Sequence, residues 1–218
     1  MRATLKHDLD LLWRSHALVG FRRLVRANIP VDTEGLAQYL IGKFIVHDTE
    51  NGRLAGRIVE TEAYTVVDSA GHAFRGRTSR NGALYLDPGH AYVYLIYGVS
   101  YMLNVSSEKA GVGAGVLLRA IEPPTSIDTP EITTLRKLWA DAGRGPGRLT
   151  KVLKIDLQQD GLDLCGPRSA IWLGGTSRKA GPIGKSVRIG ITHGADRLLR
   201  FFERGNQFIS GPKSLLQG

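Results

Sequence analysis

FIVHDTENGRLAGRIVETEAY, residues 44–64, places two β-prone runs on either side of Asn51-Gly52. An Asn-Gly pair between such runs is a strong hairpin signal, because both residues tolerate the positive φ of a tight turn. The stretch therefore reads as two antiparallel strands. In its second half, period-two alternation puts Ile58, Glu60, Glu62 and Tyr64 on one face and Val59, Thr61 and Ala63 on the other. Two carboxylates thus share a face. A solvated outer face explains them simply, since strands are poor in glutamate and acids are rarely buried unpaired. The alternative is chemical: a carboxylate held ionised beside a water can act as general base for attack on a glycosidic carbon.

Working outward, Asp32 and Thr33 offer an N-cap to EGLAQYLIGK, whose Leu36, Tyr39 and Leu40 fall at helical spacing and whose Gly42 ends the helix. AYVYLIYGVSYMLNVSS, residues 91–107, repeats the hairpin pattern around Gly98, and GVLLRAIEP, residues 115–123, is a strand stopped by Pro123 and Pro124. TPEITTLRKLWADAG, residues 129–143, predicts a helix from Pro130 to Gly143 with Ile132, Leu135, Leu138 and Trp139 on one side. GRGPGRLTKVLKID then opens a basic helix, with Gly143–Gly147 the expected mobile joint, and SVRIGITHG and RLLRFFERG, residues 186–194 and 197–205, read as two further strands. Without repeats or heptads, the simplest architecture is one α+β domain over residues 1–218 with mainly antiparallel strands, residues 1–31 forming a basic N-terminal segment.

At 218 residues, 42% hydrophobic and 22% charged, the chain has the balance of a folded domain and not of a disordered one. Cys165 is the only cysteine, so no internal disulfide forms, and no CxxC or HxxxH spacing gathers zinc ligands; no metal and a reducing compartment are expected. No run approaches the ~18 apolar residues of a membrane span, and charges break the opening MRATLKHDLDLLWRSH, so neither secretion nor a membrane partner is expected. Lysine and arginine number 29 against 20 acids, a net charge of +9, which points to a polyanionic partner, nucleic acid first.

Three further features bear on chemistry. Arg119 sits among Val116, Leu117, Leu118 and Ile121, where a cation must either reach solvent or meet an anion, and Glu62 is the chosen partner if both strands border one pocket. Tyr64, Tyr92, Tyr94, Tyr97 and Tyr101 share a span with Arg75, Arg77 and Arg80, a mixture that suits base stacking beside phosphate contacts, although tyrosines are also ordinary strand residues. Within it His72 is flanked by the small Gly71 and Ala73, and no second histidine or cysteine nearby makes it a metal ligand. Residues 136–154 carry Arg136, Lys137, Arg144, Arg148, Lys151 and Lys154 against Asp141 alone, a basic strip.

GRIVETEAY, GHAFRGRTSRN, DPGHAYVYLIYG, YMLNVSS, VLLRAIEP, GPGRLTKVLKID and RIGITHGADRLLRFF follow one another within residues 33–208. Together they resemble the alkyladenine (3-methyladenine) DNA glycosylase family. The resemblance implies an α+β single domain with a mainly antiparallel curved sheet, flanking helices and a protruding β-hairpin. It implies a base-excision-repair enzyme that flips alkylated or deaminated purines out of duplex DNA and hydrolyses the N-glycosidic bond, leaving an abasic site.

Carried residue by residue, the resemblance makes Glu62, not Glu60, the general base. Arg119 and the main chain of Ile189 help to hold the attacking water. Tyr64, His72 and Tyr94 sandwich the flipped base, Leu117 lines its pocket, and Asn104 crowds the 2-amino group of guanine. Tyr97 is the wedge that fills the vacated duplex, and Arg75, Arg77, Arg80, Arg148 and Lys151 contact the DNA backbone. No lysine stands beside ETEAY to form a Schiff base, so a monofunctional enzyme without cofactor is expected. The expected partner is damaged double-stranded DNA, bound by a monomer in a nucleoid-associated cytoplasmic or a nuclear location. The rivals are an inactive damaged-DNA-binding module and a glycosidase acting on RNA or free nucleosides.

Overall fold

The computed structural model describes residues 22–123 and 142–216; residues 1–21 and most of the helix expected at 129–143 lie outside them. In chain order the strands are β1 (Arg22–Arg23), β2 (Phe44–Thr49), β3 (Gly52–Tyr64), β4 (Ala91–Ile96), β5 (Ser100–Ser106), β6 (Gly115–Glu122), β7 (Ile171–Gly175), β8 (Ile183–Ser186) and β9 (Arg200–Glu203). The two described α-helices are α1 (Thr33–Leu40) and α2 (Pro146–Val152). No helix among the described residues is long and apolar enough to cross a membrane.

All pairings are antiparallel, in the order β1-β7-β2-β3-β6-β5-β4, with β9 joining β3 and β8. β3 organises the sheet. One edge pairs with β6 from Arg57 to Tyr64, so β2 and β9 must divide the other, β2 taking Gly52–Arg57 and β9 taking Glu60–Glu62. The handover coincides with register shifts between Ile58 and Thr61, and a bulge of this kind bends its strand and increases local twist. The result is a curled antiparallel sheet in an α+β fold, as expected from the sequence.

α1 begins where Asp32 accepts the Gly35 N–H, and it buries Leu36, Ala37 and Leu40 in the main core with Ile58, Val59 and Phe201. Each such leucine contributes about 1.5–3 kcal/mol by leaving water. Tyr39 is only half-buried, with the Lys43 ammonium 4.6 Å from its ring centroid. Farther along β3, Arg57 is fully buried between Glu122 (2.8 Å) and Glu203 (2.6 and 2.7 Å), tying β3 to β6 and β9. Although burial opposes its ionisation, the Arg57, Gly181 N–H and Asn206 contacts hold the Glu203 carboxyl down to about 2.

Three sequence expectations need correction. The β2–β3 link is Glu50-Asn51, one residue earlier than expected: Thr49 pairs with Gly52, and Gly52 takes the positive φ (+117°) as the first residue of β3. SVRIGITHG is not a strand beyond Ser186, because the Ile189 N–H and the Arg188 side chain are committed elsewhere and Gly190 and Gly194 adopt positive φ. RLLRFFERG contributes a strand only from Arg200 to Glu203, paired with β8 and β3. The short β1, β7 and β8 were not anticipated. The Gly143–Gly147 segment is tied to β6 through an Ala120–Arg144 bridge and an Ile121 N–H bond to the Gly143 carbonyl.

Candidate active site

Alternation along the end of β3 brings Glu62 and Tyr64 to one side, and pairing sets Glu62 opposite Leu117 of β6 and, on the other edge, Arg200 of β9. The solvated-face explanation fails here: Glu60 and Glu62 are both fully buried. Burial of two carboxylates 2 residues apart demands partners, and Arg119 serves both. Its Nε donates to Glu60 Oε1 at 2.9 Å and its Nη1 lies 3.1 Å from Glu62 Oε1, so the pairing expected with Glu62 alone is shared.

Glu62 Oε1 also accepts the Ile189 N–H at 2.7 Å, and Glu62 Oε2 accepts the Tyr64 hydroxyl at 3.0 Å. The Ile189 main chain, expected to hold the attacking water, donates its N–H to the carboxylate itself. Burial pushes the Glu62 carboxyl above its ordinary range, against the pull of Arg119, the Ile189 N–H and the Tyr64 hydroxyl; the Glu60 charge adds to the rise. A buried base with raised proton affinity, polarised by a guanidinium, suits proton abstraction from water near neutral pH.

Arg119, Tyr64 and Ile189 line a cavity of about 440 Å³, large enough for a nucleobase. His72, Tyr94, Asn104 and Leu117 line it too, as does Tyr97 at its edge. The cavity thus gathers every residue expected in the base pocket. His72 and Tyr94 lie with ring centroids 4.4 Å apart, and a His72 ring nitrogen is 2.8 Å from the Tyr92 hydroxyl. Burial pushes Tyr64 and Tyr92 far above the usual phenol range, and burial with the Glu62 charge pushes Tyr94 up to about 12. Burial and Arg80 hold His72 below the usual imidazole range. At neutral pH the rings are uncharged π faces beside a carboxylate, a setting that favours a cationic purine.

β4 and β5 pair in register from Ala91–Val105 to Ile96–Ser100, closing through Tyr97, Gly98 and Val99. Tyr97 (φ +52°) and Gly98 (φ +68°) supply the successive positive φ values of a type I′ turn, and Tyr97 is 89% exposed. Asn104 is buried and donates from Nδ2 to the Tyr92 carbonyl at 3.2 Å, so it both braces the ladder and faces the cavity. The expected backbone contacts Arg75, Arg77, Arg80, Arg148 and Lys151 are all exposed, Arg148 and Lys151 on α2. Arg77 lies over Tyr85, and Arg80 lies over Tyr94 and donates to the Leu95 carbonyl.

Sequence reading missed Asp68 and Arg188. Their side chains form a buried two-nitrogen ion pair, and Arg188 also donates to the Ala63 and Gly194 carbonyls while its Cζ lies 4.7 Å from the Tyr64 ring centroid. The pair joins the loop leading to His72 to the segment that supplies the Ile189 N–H. One signal was available: Arg188 is adjacent to Ile189 in RIG, a charge inside an otherwise apolar alternation.

Residues 27–207 match the sequence model of a family described as methylpurine-DNA glycosylase. A Mesorhizobium japonicum protein named "Putative 3-methyladenine DNA glycosylase" is 55% identical over 192 residues, covering 88% of this chain and 92% of its own. Proteins of the same name from Paraburkholderia phytofirmans and Carboxydothermus hydrogenoformans are 49% identical over 211 residues (97% of this chain, 94% of the relative) and 40% identical over 177 residues (80% and 92%).

Proposed function

Since this chain belongs to the methylpurine-DNA glycosylase family, we propose that Glu62 deprotonates a water that displaces a damaged purine held between Tyr64, His72 and Tyr94. The protein is a monofunctional DNA glycosylase of base-excision repair. The observation that carries the proposed chemistry is the Glu62 carboxylate itself: fully buried, one oxygen held by Arg119 and the Ile189 N–H, the other by Tyr64, and all three of those residues on the cavity wall.

In the reaction, water oxygen forms a bond to the sugar C1′ as the bond from C1′ to the purine nitrogen breaks. The bonding pair leaves with the purine, and the water proton passes to Glu62. A purine alkylated on a ring nitrogen departs as a neutral base and needs no acid, so positioning and one base suffice for it. Arg119 opposes protonation of Glu62 and so favours the ionised form that accepts the water's proton. Tyr97, exposed at the turn, fills the duplex gap left by the flipped nucleotide, and Asn104 rejects the guanine amino group by steric conflict and unpaired polar atoms.

The substrate in this reading is damaged duplex DNA, and the protein acts on it as a monomer. In this reading one domain carries the site, and the family match over residues 27–207 supports it. The natural location is with DNA, in a nucleoid or a nucleus.

The test is Glu62→Gln. The amide keeps the shape but cannot take a proton, so base release from dimethyl-sulfate-methylated duplex stops under single-turnover conditions while duplex binding persists. In the wild-type enzyme the rate falls as pH drops through the raised Glu62 value, because only the ionised form is a base. That limb therefore lies above the usual glutamate value of about 4.3. Normal turnover by Glu62→Gln excludes the mechanism.

A further inference from the structure

Behind the reacting groups lies a layer of charge for which the mechanism has no use. Glu60 is fully buried, and its Oε1 accepts from Arg119 Nε (2.9 Å), Arg200 Nε (2.7 Å) and the Ser210 hydroxyl (3.0 Å). Its Oε2 accepts the Ser210 N–H at 2.6 Å. Arg119 Nη2 in turn donates to Ser210 Oγ at 3.2 Å. Arg200 is held independently by the Ser186 hydroxyl and the Ser210 carbonyl, both at 2.7 Å.

A guanidinium is planar, and its N–H bonds form a rigid fork. Nε and Nη2 lie along one edge of that plane, and Glu60 with Ser210 occupies both positions. Fixing two donors of the plane fixes the direction of the third, Nη1, which is the one that meets Glu62 at 3.1 Å. We propose that Glu60, with Ser210, is a positioning residue for the glycosylase reaction: it sets the plane of Arg119 and thereby where the guanidinium meets the general base. The inference rests on the assignment of Glu62 as that base.

A purely architectural ion pair would stabilise the fold and leave the chemistry untouched. The arrangement here predicts more, because among the described residues the groups facing Glu62 are few. They are Arg119 from β6, Glu60 and Tyr64 from β3, Arg200 across the ladder from β9, Tyr94 from β4, and the Ile189 N–H. Of these, Glu60 is the other carboxylate, and its like charge opposes ionisation of Glu62. The pull of Arg119 on Glu62 is the larger and opposite effect, so a change at Glu60 that lets Arg119 move away makes Glu62 harder to ionise even though the like charge is gone.

The experiment compares wild type, Glu60→Gln, Ser210→Ala and Glu62→Gln. Single-turnover methylpurine release from dimethyl-sulfate-methylated duplex is followed across pH, and binding to a duplex with an uncleavable abasic analogue is measured separately. Glu60→Gln keeps binding, loses rate on the plateau by about tenfold or more through misplacement of Arg119, and moves the acid limb to higher pH, because the lost Arg119 pull on Glu62 outweighs the lost Glu60 repulsion. Ser210→Ala keeps both carboxylates but frees Arg119 Nη2, so the plateau falls and the limb moves to higher pH as the Arg119–Glu62 contact weakens. Should Glu60→Gln fail to fold, Ser210→Ala decides alone: a lowered plateau with intact binding supports the positioning role, and a wild-type plateau overturns it. If Glu60→Gln folds and matches wild type in plateau and limb while Glu62→Gln is dead, the positioning role is wrong and the base assignment stands. An active Glu62→Gln removes both.

Discussion

Replacing Asp68 by alanine withdraws the acid from the ion pair that joins two walls of the cavity. Asp68 and Arg188 are 2% and 4% exposed, and the carboxylate takes both terminal nitrogens of the guanidinium. Arg188 would keep the Ala63 and Gly194 carbonyls at 2.9 and 3.2 Å, yet its charge would be buried without an anion. Arg197, now 3.5 Å from the carboxylate, offers no substitute, being a cation itself. Removing one partner of a buried pair costs about 3–5 kcal/mol. The Ala70 N–H, which donates to Asp68 Oδ1 at 3.1 Å, adds about 1 kcal/mol when orphaned. At about 2–4 °C per kcal/mol for a domain of this size, the melting temperature falls by roughly 8–24 °C.

Circular dichroism melts with urea titrations measure the change, and amide exchange at Ala70 and Gly71 shows whether the loop opens before the sheet does. Arg197→Ala is the control: that side chain is 42% exposed, so its loss shifts stability by no more than about 1 kcal/mol. An Asp68→Ala protein that melts within about 2 °C of wild type refutes the claim that this pair holds the walls together.

Tyr97→Ala leaves stability within about 0.5 kcal/mol because the ring is 89% exposed, yet it weakens capture of the flipped nucleotide by about tenfold. Unchanged binding and turnover on a paired lesion would remove the wedge role. Asn104→Ala raises excision of guanine-type bases relative to adenine-type lesions at a stability cost of about 1 kcal/mol for the lost Tyr92 bond. The single-turnover rate ratio on matched duplexes reads this directly, and a constant ratio in a folded variant excludes the gate. Lys151→Ala, on the exposed side of α2, lowers affinity for every sequence alike and flattens the salt dependence by about one counterion; a sequence-selective loss would instead place Lys151 against a base edge.

Local pattern was sufficient wherever an element carries its own signal. The alternation read over residues 58–64, the N-cap at Asp32 and the Gly98 turn each act within a few residues, and the sheet uses them with register shifts between Ile58 and Thr61. IWLGG and IGKS carry no such signal: they are four or five residues long, rich in glycine, and become β7 and β8 only because β2 and β9 offer edges to pair with. RIGIT shows the reverse failure, since its alternation resembles a strand while its Ile189 N–H serves a carboxylate 127 positions away.

Chain order and residue type alone determined that two glutamates share a face, that an arginine stands in an apolar strand, and that tyrosines and a histidine surround them. Family resemblance then distinguished Glu62 from Glu60. Neither source could say that both acids are buried, or what each one does there. Alternation specifies which side chains point together, but whether that side meets water depends on what packs over it. For Glu60 and Glu62 the covering groups are Arg119, Ile189, Arg200 and Ser210, separated from them by 59, 127, 140 and 150 positions. A carboxylate can lose its water only when such donors arrive together, and that convergence is a property of the closed sheet, not of any segment of the chain.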